Sequence, residues 1–401
     1  MILLEISLAI IFGVLTGIFS GLTPGIHINM ISLLVLSSSS FIIEHFGLNM
    51  VTLGVYIIVV GITHTFLDAI PSIFLGAPDE SNALGVLPGH RYLLRGNGLM
   101  AVKLFTIGSF FGLILGILLF PLLYLFTKYT YHGLERYFVW ILIGTSIFML
   151  WRDEKKFWAI LIFVTSGILG LTIFSMNMKD PLFPLLSGLF GISTLIISIN
   201  DNNNIPEQNN ETYTKLEGKK TFMSLIAGNI SAFIVSTFPG LSSSIAAVMS
   251  IQFFRDLGDK GFMILLGCIG TSSFILSLVA LYTVDKARNG AVIVISELLP
   301  NITLNIVIIF LIVALIAGAI STFLALWFGK IFSRIISKIN YRILVLCIIA
   351  FVTTLVIILT SWKGLIVLIT STALGLIPGI VKVQRTQSMA CLIVPVIIYL
   401  I

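Results

Sequence analysis

The sequence predicts an all-α polytopic membrane protein built from two inverted-topology repeats, each with a Pro-Gly-broken re-entrant helical hairpin and about five spans. Three observations lead there. The 401 residues are 58% hydrophobic and only 10% charged, with a mean hydropathy of +1.11, whereas a soluble domain is roughly 25% charged. The polar stretch DNNNIPEQNNETYTKLEGKK, residues 201–220, lacks hydrophobic periodicity and cuts the chain nearly in half. A proline-glycine pair interrupts an apolar stretch at TPGIHIN (23–29) in one half and at FPGLSSS (238–244) in the other.

The composition excludes a water-soluble globule, because 23 Lys plus Arg and 17 Asp plus Glu cannot cover the surface of so long a chain. At roughly 20 residues per crossing, about ten to twelve segments fit, which suits a channel, a transporter or an intramembrane enzyme. The net charge of +6 comes from basic residues scattered in short loops, with no run of five. That pattern follows the positive-inside rule and gives no reason to expect nucleic acid. Cys268, Cys347 and Cys391 lie in apolar stretches without metal-like spacing and read as packing residues. The N-terminus has no basic leader region and no small-residue cleavage site, so it reads as a helix of the mature protein.

Taken in order, the first repeat (1–200) opens with a helix in which Gly13, Gly17 and Gly21 recur every four residues and form one smooth face for a close neighbour. Pro24 and Gly25 break it, since proline lacks a backbone donor and glycine tolerates unusual dihedrals. The chain is apolar again to about Ser40, so two half-length helices are expected around the break. Full spans follow at 48–75, 99–127, 137–151, 156–177 and 182–199. Residues 201–220 form a polar cytoplasmic linker. The second repeat (221–401) starts with Gly228, Ala232 and Ser236 at the same spacing, breaks at Pro239 and Gly240, and continues with spans at 261–282, 301–328, 343–361, 364–380 and 387–401. An offset of 215 sets Gly13 on Gly228 and Pro24 on Pro239, and one of 206 sets Gly61 on Gly267, Thr65 on Thr271 and Asp79 on Asp285. A third, of 187, sets Gly188 on Gly375. An odd number of crossings per half makes the halves inverted. The loops at 152–156, 201–220, 255–260, 330–342 and 382–385 then share one basic, cytoplasmic face, with Arg91 and Arg95 on it and Asp285 opposite.

Inverted repeats with broken helices point to a secondary transporter whose site lies at the breaks. Half-helix N-termini offer free amide donors and a positive dipole end to an anion. Thr23, Pro24, Gly25, His27 and Asn29 then line one side of the substrate site, and Pro239, Gly240, Ser242, Ser243 and Ser244 the other; the alternative is that these groups only satisfy broken backbone. Asp68 is the acidic residue well inside a long span, with His64 one turn before it. A charge at a helix centre costs about 2.5–3.5 kcal/mol on insertion scales, so a Na⁺ or proton site is one reading and a neutral, hydrogen-bonded Asp68 the other. The second repeat has Gly270 and Phe274 at these positions. In GAPDESNALGVLPGH (76–90), Asp79, Ser81 and Asn82 supply oxygens for a coupling ion or a helix cap, with Asp285 in the matching loop. There is no G-x-S-x-G, H-E-x-x-H or P-loop, which argues against an enzyme.

On GLTPGIHIN, THTFLDAIPSIFLGAPDESNALGVLPGHRYLLRGNG and the second Pro-Gly break, the sequence resembles the TctA family, the large membrane subunits of tripartite tricarboxylate transporters. The resemblance implies ion-driven carboxylate transport, a small membrane subunit and an extracytoplasmic binding protein as partners, and no cofactor beyond the coupling ion. It also assigns Pro24, Gly25, Pro239 and Gly240 to the family's paired motifs. Ile26 and His27 are larger than the residues expected after the first Pro-Gly. The leading expectation is a cation-coupled carrier of a small organic anion; the alternative is a carrier for a phosphate-headed lipid, with Arg91, Arg95 or His27 as headgroup ligands.

Overall fold

A computed structural model describes residues 2–24, 26, 28–76, 86–134, 137–176, 178, 181–200, 206–209, 215–237, 243–254, 257–285, 287, 289–336 and 341–401. Every regular element among them is helical. The first half contains α1 (Ile2–Leu22), α2 (Ile28–Ser37), α3 (Ser39–Phe46), α4 (Met50–Leu67), α5 (Ala69–Phe74), α6 (Val86–Leu94), α7 (Gly98–Leu134), α8 (Phe138–Arg152), α9 (Lys156–Ser175), α10 (Leu182–Leu186) and α11 (Ser193–Asn200). A π-helical turn, Ser187–Ile192, joins the last two. The second half contains α12 (Gly218–Thr237), α13 (Ser243–Phe253), α14 (Gly258–Val284), α15 (Gly290–Leu298), α16 (Leu304–Ile336), α17 (Tyr341–Val381), a 3-10 turn at Arg385–Met389 and α18 (Ala390–Leu400).

Among the described residues, seven helices are long and apolar enough to cross a membrane, or eight if α2 and α3, bent by 58°, form one span. The chain is therefore a multi-pass membrane protein. The segments expected to span at 137–151, 182–199 and 387–401 are helical but short, at 10–17 residues. In the last two, proline within the helix (Pro184, Pro395) removes a backbone donor. The expected spans 343–361 and 364–380 fall in one 41-residue helix, broken at Ser361 with φ +57°. The break is a fold-back, since a Cβ on Gly364 would lie 3.1 Å from Val356, eight residues earlier. One sequence expectation needs correcting. The helices before the two Pro-Gly breaks are not half-length: α1 has 21 residues and α12 has 20, and only the following α2 (10) and α13 (11) are short.

The centre of the molecule is the pair α4 and α14; the α14 span is buried throughout, and the α4–α5 span over most of its length. Gly61 faces the ring of Phe274, and the hydroxyls of Thr65 and Thr271 lie 3.3 Å apart, so the two helices run in opposite directions. Around them the glycines set the contacts. Gly13 packs on Val59, Gly17 on Thr63 and Gly21 on Leu67, which lays α1 beside α4 in the same direction. The opposite face of α1 carries exposed Leu8, Ile11, Phe12, Leu15 and Phe19, an apolar stripe suited to lipid. Gly228 packs on Cys268 and Leu265, which does the same for α12 and α14. Gly108 meets Ile264 and Gly112 meets Cys268, placing α7 on α14, while Gly54 meets Phe310 and Ser321 donates to Thr63 at 3.1 Å, placing α16 on α4.

Gly188 faces Leu368 and Ser371, and Gly375 faces Leu189, so the two glycines matched at the offset of 187 serve one shared interface. Cys268 and Cys391 are buried as expected of packing residues, whereas Cys347 is on the exposed face of α17.

The basic loops gather at one end. Arg91 and Arg95 pair with Asp259 at 3.9 and 4.0 Å, Lys260 donates to the Lys215 carbonyl, and Arg152 reaches Gln252. The linker is pinned there rather than simply spanning the halves. Gln208 is buried, accepts from the Gly98 N–H at 2.9 Å and donates to the Leu93 carbonyl at 3.0 Å.

These close approaches give a direct test. A Cβ on Gly108 would lie 2.0 Å from the Ile264 carbonyl oxygen, whereas one on exposed Gly144 would meet nothing within 4 Å. Gly108→Ala should lower stability by about 1–3 kcal/mol or more through overpacking, and Gly144→Ala should not. The midpoints of thermal unfolding in detergent compare the two.

Candidate functional site

The two helices that meet through Gly21 are both interrupted at the same depth. α1 ends at Leu22, where Pro24 follows, and the α4–α5 span is interrupted for one residue at Asp68, where Pro71 has no N–H to return to the Leu67 carbonyl. A Cβ on Gly21 would sit 2.8 Å from Leu67 and 3.1 Å from the His64 carbonyl oxygen, so only glycine lets the two ends come this close. The helix resumes after Asp68, with both the Ser72 N–H and the Ser72 hydroxyl donating to the Asp68 carbonyl, at 3.4 and 3.0 Å.

His64 and Asp68 are buried at this junction, at 4% and 3% exposure. The His64 Nδ1 lies 3.1 Å from the Ser20 hydroxyl, three residues before Thr23. The Asp68 N–H donates to the His64 carbonyl at 2.9 Å. Thr63, Thr65 and Ser72 are buried on the same stretch. Across the centre, α14 contributes buried Thr271, Ser272, Ser273 and Ser277. It runs unbroken through Phe274, the position that matches Asp68, and a Cβ on buried Gly270, which matches His64, would find no described atom within 4 Å. The arrangement therefore provides a buried carboxyl, an imidazole and several hydroxyls beside a one-residue helix interruption in one half, and a hydroxyl-rich continuous helix in the other. Such a set can hold a proton or a small hard cation.

Other expected site residues are distributed unevenly. Thr23 and Pro24 are half-buried at the first break, with the Thr23 carbonyl accepting from the Ile26 N–H at 3.3 Å. Ser243 and Ser244 open α13, and Ser244 is fully buried. Asn29 Oδ1 accepts from the Ala291 N–H at 3.1 Å, beside Gly290, and so helps cap α15 of the second half together with Asn289. Asp285 is not brought to His64 and Asp68. It is an exposed C-cap of α14 at φ +53°, about 21 Å beyond Thr271 along that helix. Gly25, His27, Asp79, Ser81, Asn82, Pro239, Gly240 and Ser242 lie outside the described residues. Arg91 and Arg95, candidates for a headgroup, are exposed partners of Asp259. Among the described residues no group of three or more His, Cys, Asp or Glu could hold a metal.

Sequence reasoning did not single out Ser20, Ser72 or the surroundings of Gly270. Ser20 sits next to Gly21 of the small-residue face, and Gly270 is the small residue opposite His64 in the 206 offset; both were visible as positions, but their contacts were not.

α6 bears a second buried histidine. His90 in α6 has its pKa lowered to about 4 by burial, opposed by a hydrogen bond with the Ile73 backbone.

The chain matches, over residues 8–390, the family described as tripartite tricarboxylate transporter TctA. It is 30% identical over 305 residues to an uncharacterized protein of Methanocaldococcus jannaschii, covering 74% of each chain. No solved structure matches it.

The His90 environment predicts a pH dependence. Its folded pKa lies below the usual 6.5, so the unfolded chain binds the extra proton and stability falls as pH drops from about 6.5 towards 4, by up to about 3 kcal/mol. Unfolding midpoints measured across that range should show the slope in the native protein and a flatter one in His90→Gln.

Proposed function

This chain belongs to the tripartite tricarboxylate transporter TctA family, a family of membrane transporters and not of enzymes, and on that premise we propose that it is a secondary active carrier of a small organic anion of the carboxylate class, driven by Na⁺ or H⁺. The observation that carries this reading is the paired interruption: α1 ends beside the one-residue interruption of the α4–α5 span, and His64 and Asp68 are buried there, His64 against Ser20. A buried acid beside interrupted helices is where a transporter couples ion to cargo.

Several contacts support two inverted repeats. Thr65 touches Thr271, its own counterpart at offset 206, as expected for residues near a pseudo-two-fold axis. The antiparallel course of α4 and α14 suits an axis lying in the membrane plane. The packing is also exchanged, with α7 of the first half on α14 of the second and α16 of the second on α4 of the first. In this reading each Pro-Gly tip presents amides and small hydroxyls to the substrate, with Thr23 on one side and Ser243 and Ser244 on the other, and rocking of one repeat against the other switches access. The coupling ion sits at His64 and Asp68, in one repeat only. Family membership further favours a small membrane subunit and an extracytoplasmic binding protein as partners. The lipid-carrier alternative draws on Arg91 and Arg95, whose pairing with Asp259 gives them another role.

Uptake of citrate and succinate into proteoliposomes under imposed Na⁺ or pH gradients tests the proposal. Asp68→Asn keeps the shape of the side chain but not its charge, and should slow gradient-driven uptake by about tenfold or more, equivalent to about 1.4 kcal/mol. His64→Ala should alter the ion or pH dependence. Gradient dependence unchanged in both variants, or no carboxylate carried by the native protein, would sink the reading.

A further inference from the structure

Arg385 lies apart from the ion and substrate residues above. α17 ends at Val381, Lys382 turns the chain at φ +58°, and Arg385 opens the 3-10 turn that leads into α18. Its guanidinium is half-buried against residues that follow the π-helical turn of Ser187–Ile192. Arg385 Nη1 donates to the Thr194 hydroxyl, and to that of Ser193 at 3.5 Å. Both hydroxyl hydrogens are already given away, to the Phe190 and Leu189 carbonyls at 2.6 Å, so the two oxygens act as acceptors that hold the arginine. Gly379 leaves the room: a Cβ there would lie 3.1 Å from Arg385 Nη2.

Among the described residues no carboxylate pairs with this arginine. Asp153 and Glu154 are the acids on the neighbouring loop; Glu154 is exposed, and the Asp153 oxygens are occupied by the Lys155 N–H at 3.2 Å, the Gln384 N–H at 3.4 Å and the Gln387 amide at 3.3 Å. Burial lowers the Arg385 pKa to about 10, which leaves it charged at neutral pH. The Nε and Nη2 donors thus form an open fork. Lys155, bound to the Val381 carbonyl, and exposed Lys382 add positive charge nearby. A desolvated charge held by two hydroxyls is unfavourable unless an anion completes it, and a planar fork matches a carboxylate in two parallel hydrogen bonds.

We propose that Arg385, braced by Ser193 and Thr194, is a binding site for one carboxylate group of an organic anion at the basic end of the protein. The site is distinct from the Pro-Gly tips. Its ligand class rests on the carboxylate reading above, and it gives the anion a receiving station at this end of the route.

The test is a titration of full-length protein in neutral detergent at constant ionic strength, with citrate, succinate or inorganic phosphate, read by the unfolding midpoint. The carboxylates should raise the midpoint of the native protein. Arg385→Gln should raise the half-saturating concentration about tenfold or more, Arg385→Lys should recover part of the loss, and Thr194→Val should fall between. Equal half-saturation in the native protein and Arg385→Gln overturns the proposal. If Arg385→Gln does not fold, Thr194→Val and Ser193→Ala decide, and no change in either overturns it. Retention of anionic phospholipid that is lost in Arg385→Gln, without any response to carboxylates, overturns the carboxylate assignment in favour of a headgroup phosphate. Uptake separates this site from the transport reading. An unchanged citrate titration in Arg385→Gln while Asp68→Asn still abolishes uptake defeats the site alone. A titration that depends on Arg385 in a protein that carries no carboxylate defeats the transport reading alone.

Discussion

Helices in lipid gain nothing from hiding apolar surface from one another, because the lipid tails are equally apolar, so close backbone approach and polar contacts must hold them together. Here that constraint is met by missing side chains. Gly61 admits the ring of Phe274, and Gly267 lies so near the Phe105 carbonyl that a Cβ would be 2.1 Å from its oxygen. The α4–α14 pair is held by the Gly61–Phe274 approach and the Thr65–Thr271 contact, Gly267 brings α7 onto α14, and each member of the pair receives two further helices through glycines. The outer elements keep their large apolar residues for lipid.

The same close packing makes the candidate site possible. Breaking a helix exposes backbone groups that lipid cannot satisfy, so a break is tolerated only inside the protein. Gly21 brings the end of α1 against the Leu67–Asp68 interruption, where Ser20 meets the His64 ring and Ser72 donates to the Asp68 carbonyl. His64 and Asp68 can then be buried without facing hydrocarbon. The second half has Gly270 and Phe274 in place of this pair and keeps α14 continuous.

Much of the fold was legible in the sequence. The long spans, the two proline-glycine breaks, the fold-back near 362 and the central polar segment all follow from local properties: apolar length, absent amide donors and a run of Asn, Glu and Lys. The gathering of basic loops at one end was legible from charge alone. Less legible were the lengths of the helices before the breaks, because Gly13, Gly17 and Gly21 were read as contact residues without showing how far the helix extends. The anchoring of Gln208 between Leu93 and Gly98 was hidden as well, since a glutamine in a polar stretch gives no sign of its partner.

By itself the sequence determined that lipid is the solvent, where the helices break, and that His64 and Asp68 lie on one face of a span, because each of these is set within a few residues of chain. Tertiary structure alone decided which breaks share a depth, that Asn29 serves the start of α15, that Asp285 stays at the far end of α14, and that Arg385 rests on Thr194. These are contacts between residues tens to hundreds of positions apart. They depend on which helices approach closely, and a pattern of glycines marks that an approach occurs but not with which partner.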